Sequence, residues 1–296
     1  MRPAVTRVIG FLAGTAGIVA LLSASAPWRE RTYFSPEQQI GAGTVQSYVV
    51  RRPGGPPEAV GVTLTAGALR DLPAGPNTHS RCFDLDGDGS HTGHECIGDE
   101  ERIFQLPEEA AEGLPFQWLT VNWNPAGHPA PYNLPHFDVH FFAWERERID
   151  AIAPGRCGEL VDCADFERGS RPLPPAYLPP GHIDVGAVVP RMGNHLLDSR
   201  SPELADSMPF TRTFIYGAFD GELIFWEPMV TRDFLLRTHD ACFEIRLPQA
   251  FRRSGYYPTR YCVRQNPRDE AHTVSLEGFV YAEARPDSDI IPHREH

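Results

Sequence analysis

The densest chemistry in the chain lies in the run Pro135-His136-Phe137-Asp138-Val139-His140-Phe141. In a strand, successive side chains point to opposite faces, so His136, Asp138 and His140 share one face while Phe137, Val139 and Phe141 share the other. Neighbours at i and i+2 stand about 6.8 Å apart and can chelate one ion. His136 and His140 stand about 13 Å apart in a straight strand and need a bulge to meet at the same ion. A helix would instead place the two His at i and i+4, as in H-E-x-x-H motifs. Pro135, the alternating aromatics and Val139 favour the strand.

Other ligand-type residues stand in aromatic or turn settings. They are His195 in Arg191-Met192-Gly193-Asn194-His195, Glu227 in Phe225-Trp226-Glu227-Pro228, His182 and Tyr216, with His128 just upstream of the central run. Imidazole and carboxylate together suit zinc, manganese or iron. The competing reading is a buried, hydrogen-bonded His/Asp network with no metal.

A second ion-type motif runs from Asp84 to Glu95. Asp84, Asp86, Asp88, Gly89, Ser90, Thr92 and Glu95 fit D-x-D-x-D-G-x5-E over all twelve positions. Alternating short carboxylates converge on one hard cation, Gly89 makes the sharp turn, and Glu95 closes the shell; the expected ion is calcium. The flanks lack an amphipathic pattern, so no helix-loop-helix hand is expected, and the role of the ion is structural. Cys82 and Cys96 bracket the loop. The competing reading is a solvated acidic turn that binds nothing.

Several chemistries are excluded by composition. All 27 basic residues among the 296 are Arg, so catalytic, Schiff-base and P-loop lysines do not exist here. A net charge of −12 disfavours non-specific binding to nucleic acid or anionic membrane. No G-x-S-x-G, Walker loop or G-x-G-x-x-G in a βαβ setting is present, so no nucleotide cofactor is expected.

The elements that must position these residues read as mainly β. Runs at 41–50, 59–64, 103–106, 118–123, 137–144, 183–189, 211–216, 223–225, 242–247, 257–263 and 274–284 read as strands. Short helices are expected from Thr65 to about Leu72, near 108–113 and over 145–152. With 29 Pro and 26 Gly, the connections read as long Pro/Gly-rich loops, including 153–182. Residues 28–39 read as an irregular lead-in. The expected architecture is a β-sandwich or barrel: a single domain over 41–284, with a polar tail over 285–296.

Arg2 and Arg7, an apolar run and Ala24-Ser25-Ala26 give residues 1–26 the form of a signal peptide. An uncleaved anchor is the alternative, since the run is about long enough for one membrane helix. No other membrane association is expected. Six Cys, an even number, suit an exported protein, with local pairs Cys82–Cys96, Cys157–Cys163 and Cys242–Cys262.

Four motifs carry a family resemblance: Asn124-Pro-x-Gly-His128, Pro135 to Phe141, Met192-Gly-x-His195, and Phe214-Ile-Tyr-Gly through Asp220-Gly-x-Leu-Ile-Phe-x-Glu-Pro-Met-Val-Thr231. The chain resembles, from about Gly41 to Leu236, an uncharacterised bacterial domain family. That family is typified by a hypothetical protein of Thermus under a sigma-E/anti-sigma-E pair. The resemblance implies a β-rich fold and a homo-oligomer, and it implies no activity. The 82–96 loop and the Cys157–Cys163 segment depart from the family pattern.

The functional expectation is an exported, disulfide-stapled binding protein with a His/Asp/Glu pocket for a transition metal and a calcium-type loop. The alternatives are a metal-dependent hydrolase or oxygenase, and a structural surface protein.

Overall fold

The computed structural model describes residues 29–75, 84, 87–89 and 100–285. The signal-type segment, Cys82, Cys96, Asp86, Ser90, Thr92, Glu95 and the tail beyond 285 lie outside the described residues.

Fifteen strands follow in chain order: β1 (Arg31–Phe34), β2 (Gln38–Ile40), β3 (Gly43–Arg51), β4 (Pro57–Leu64), β5 (Glu100–Gln105), β6 (Trp118–Asn124), β7 (His136–Phe142), β8 (Pro154–Cys157), β9 (His182–Val189), β10 (Gly193–Asp198), β11 (Arg212–Phe219), β12 (Glu222–Thr231), β13 (Asp240–Glu244), β14 (Gly255–Gln265) and β15 (His272–Ala282). Fourteen of them build two antiparallel sheets, and β8 lies outside both. One runs β1-β3-β4-β15-β14-β13, with β2 also on β3; the other runs β5-β6-β7-β12-β11-β10-β9. Helices are few and short, and the fold is β-sandwich-like.

The sandwich core follows from side-chain alternation. Val45, Val49, Val60, Val62, Val274 and Leu276 of the first sheet pack with Leu119, Val121, Phe137, Val139, Phe141 and Trp226 of the second. Each such apolar side chain stabilises the fold by about 1.5–3 kcal/mol on burial. The second sheet is covered on its other face as well. There Trp118, Phe142 and Phe225 pack under Trp144, Ile149, Ile152, Val161 and Met192 from the connections. Every residue of β6 and β7 is consequently buried, polar ones included. The polar alternate positions of β7 therefore lie inside the protein, between the sheet and its covering loops.

Four local expectations are corrected. The 28–39 stretch holds β1 and β2, both pairing with β3. These are short edge strands of mixed polarity, with little alternation to read. The helix after Thr65 is a single 3-10 turn, Ala66–Leu69, and Thr65 does not cap it. Its hydroxyl accepts from the Thr44 N–H instead (2.8 Å), pinning the turn to β3. The 153–182 loop contains β8 and the helix Cys163–Gly169, whose N-terminal N–H groups at Ala164 and Asp165 donate to the Asp162 carboxylate. β10, which carries His195, was not expected as a strand.

The Asp220-Gly221 hairpin forms as expected, with positive φ at both residues (55° and 75°). Disulfides join Cys157 to Cys163 and Cys242 to Cys262, the latter directly across the β13–β14 ladder. Two such bonds suit an oxidising compartment. No helix among the described residues is long and apolar enough to cross a membrane.

Candidate metal centre

The residues read from sequence as one constellation fall into two groups. Each is able to offer a shared ion three ligand atoms lying within 4.8 Å of one another: His128, His136 and Asp138, and His140, His195 and Glu227. The straight course of β7 causes the division, since His136 and His140 lie four residues apart without an intervening bulge.

The first group is organised around Asp138. Its Oδ2 accepts from Asn124 Nδ2 (2.6 Å) and meets His128 Nε2 (3.1 Å). Asn124 stands opposite His136 on β6, and Asn122 opposite Asp138. His128 comes from the loop after β6; its place here depends on how that loop folds back over the strand, which residue spacing does not show. On the other side, His136 Nε2 stands 3.1 Å from Asp138 Oδ1. Both atoms are buried, and among the described residues neither makes a hydrogen bond. His136 Nδ1 lies 2.6 Å from the Leu134 carbonyl. A carbonyl can only accept, so Nδ1 carries a proton, and Nε2 attracts the carboxylate oxygen only when it carries a second proton or shares a cation with it. Burial works to raise the Asp138 carboxyl, but the charge of His136 and the hydrogen bond from His128 outweigh it and hold the group well below the usual range. A groove of about 710 Å3, lined in part by Trp123, Pro125, Leu134, Pro135 and Phe210, opens beside this group.

The second group spans four neighbouring strands. His140 lies on β7, Glu227 on β12 and His195 on β10, with Gly217 of β11 between the last two. Gly217 pairs with Phe225 on one side and His195 on the other. A Cβ at 217 would overlap the Phe225 ring. The missing side chain lets Phe225 lie across β11, where its ring touches both imidazoles, with centroids 5.0 Å from His140 and 5.1 Å from His195. The β9–β10 ladder slips register between His195 and Leu196, and the β11–β12 ladder slips between Gly217 and Ala218. Bulges of this kind re-aim side chains next to sites.

The result is a carboxylate clasped by two imidazoles. Glu227 Oε1 lies 3.4 Å from His140 Nε2, and Oε2 lies 3.9 Å from His195 Nε2. Both rings are oriented from behind. His195 Nδ1 lies 3.0 Å from the Ala187 carbonyl and must donate to it. Thr120 spends its proton on Asn122 Oδ1 (2.8 Å), so its oxygen accepts from His140 Nδ1 at 3.2 Å. Each neutral ring thus presents the Nε2 lone pair to Glu227. Outer-sphere acceptors behind metal-binding His residues fix the tautomer in this way. Burial, with the Asp138 charge adding to it, pushes the Glu227 carboxyl well above its ordinary range. A carboxylate enclosed like this needs a cation or a proton.

Around the 84–95 motif, the Gly87 N–H donates to Asp84 Oδ1 (2.7 Å) and the Gly89 N–H to Oδ2 (3.1 Å). Gly87 and Gly89 both take φ of 78°, as a sharp turn requires. Cys242, Cys262 and Glu277 also cluster, but their sulfurs are joined to each other and are not thiolate donors.

Comparison with protein-family models, with curated proteins and with solved structures finds no match. The functional reading rests on the site alone.

Proposed function

We propose that this is an exported metal-binding protein in which His140, His195 and Glu227 hold one transition-metal ion. The single observation that carries the reading is the orientation of the two imidazoles: both commit Nδ1–H to an acceptor behind them and turn Nε2 to opposite oxygens of one buried carboxylate. Metal-bound His and carboxylate donors at about 2.0–2.2 Å stand roughly 3.3–3.5 Å apart around a tetrahedral ion; the His140–Glu227 separation of 3.4 Å falls in that range, and the His195–Glu227 separation of 3.9 Å is wider. The neighbouring Asp138 group is read as a hydrogen-bonded network that braces β7, because Asp138 Oδ2 is already engaged by Asn124 and His128.

Enclosure favours a held ion over turnover. His140 and Glu227 have side chains only 1% exposed and His195 14%. A catalytic ion keeps a position open to substrate, whereas structural sites are closed. The disulfides and the signal-type N-terminus support export. The Asp84–Glu95 motif is read as a second, calcium-type site that stiffens a loop, supported by the turn around the Asp84 carboxylate.

Elemental analysis of the purified mature protein tests the reading. About one transition-metal ion per chain is expected, lost in the His140→Ala, His195→Ala double variant. A protein that takes up no transition metal, or a double variant that keeps it, overturns the assignment.

A further inference from the structure

The two imidazoles and the carboxylate leave one question of chemistry open, namely which ion they select. A fourth group answers it. Met192 Sδ lies 3.2 Å from His195 Nε2, the same atom that faces Glu227. His195 donates from Nδ1 to the Ala187 carbonyl, so in the neutral ring Nε2 is a lone-pair donor to a cation. A thioether sulfur carries no proton either. The contact is a hydrogen bond only when Nε2 also carries a proton; in the neutral ring the two lone-pair atoms fit instead as neighbours around one ion. Metal–nitrogen and metal–sulfur bonds of about 2.0 and 2.3 Å, at angles of 95–110°, place N and S roughly 3.2–3.6 Å apart.

The backbone builds this contact. β9 and β10 are joined by a tight turn over residues 190–192, with Arg191 at φ 55° and Gly193 at φ 106°. A φ of 106° strains any L side chain at 193, and a Cβ there would also stand 2.7 Å from Ile224 Cδ1 and 3.1 Å from the Ala218 carbonyl oxygen, so glycine suits the turn. The turn folds Met192 back over the residue three positions on and buries it in the cluster that contains Phe225.

We propose that Met192 is the fourth ligand of the ion held by His140, His195 and Glu227, and that the resulting N2OS donor set selects copper over zinc, manganese and iron. The proposal rests on the metal-binding reading above and adds the identity of the ion. Thioether donors favour Cu(I), whereas the His/carboxylate set alone suits harder ions.

The test uses the metal-free mature protein with its disulfides intact. Cu(I), kept reduced by ascorbate, is titrated in competition with bathocuproine disulfonate, and Zn2+ against a chromophoric chelator. The wild type is expected to bind one Cu(I) per chain, with a sulfur scatterer in the copper X-ray absorption spectrum. Met192→Leu, of nearly the same volume, is expected to lower Cu(I) affinity by roughly ten- to a hundredfold. It should also remove the sulfur scatterer and leave zinc affinity unchanged. Met192→Cys, which keeps a sulfur donor, is expected to restore Cu(I) binding. Unchanged Cu(I) affinity in Met192→Leu, or a wild-type spectrum without sulfur, overturns the role of Met192 while leaving the metal-binding reading in place. A wild type that binds neither ion overturns that reading itself.

Discussion

Replacing Glu227 by Gln separates the cost of the empty site from the gain of the filled one. The substitution keeps shape and volume but removes the charge that both imidazoles face. In the metal-free protein, the raised carboxyl of Glu227 binds a proton more tightly than in the unfolded chain. Its contribution to stability is therefore complete below the ordinary pKa of 4.5 and is lost as pH rises through the higher folded value. Metal-free Glu227→Gln avoids this loss and should melt no lower than metal-free wild type at pH 7.5. The filled site reverses the order. An ion at a hundred times its dissociation constant stabilises the wild type by about 2.7 kcal/mol. For a body of this size each kcal/mol moves the melting temperature by about 2–4 °C, so the wild type should gain roughly 5–11 °C on loading. Glu227→Gln should gain little. Differential scanning calorimetry of both proteins, with and without the ion, reads all four values. Equal metal-induced shifts in wild type and variant would refute the argument, since Glu227 would then not be a ligand.

Four further outcomes follow from the same geometry. Gly217→Ala should displace the Phe225 ring that touches both His140 and His195, and weaken metal uptake measured by chelator competition, although residue 217 offers no ligand. Phe141→Ala, in the inter-sheet core against Phe116, should cost about 3–5 kcal/mol in urea unfolding. Loss of the Cys242–Cys262 bond, whose partners are 20 residues apart, should lower unfolding free energy by about 3 kcal/mol, more than loss of Cys157–Cys163 with its separation of 6. Burial depresses the His182 imidazole below its ordinary value of 6.5 against the pull of Asp198, with Arg246 adding to the depression. The native ring then binds fewer protons than the unfolded one, so stability should fall as pH drops below 6.5, and His182→Gln should flatten that slope in urea midpoints taken from pH 7.5 to 5.

The strand that bears the site was legible because its code is local. Pro135 blocks a helix, and the aromatic alternation of β7 sets which face is dry. Glu227 and His195 were identifiable as ligand types, but their meeting depends on sheet order, and the order β7-β12-β11-β10 is not written in any spacing. β10 is hard to read from sequence because six residues beginning Gly193-Asn194-His195 show no clean alternation, and its register slips at His195. The helix at Cys163 lies inside a stretch whose Gly and Pro content reads as loop, and its Asp162 cap is evident only in the structure. Met192 was visible as a residue and not as a donor: its sulfur reaches His195 only because a left-handed turn reverses the chain.

The loop cover over the second sheet bears on how fast the proposed ion could leave. β7 and β12 have packed material on both faces, so for an ion held as proposed, exchange is expected to wait on transient detachment of that cover. Release to a strong chelator would then level off at a ceiling independent of chelator concentration, equal to the opening frequency of the cover. A tightly packed sheet with two dry faces would in this way act as a timer on its cargo.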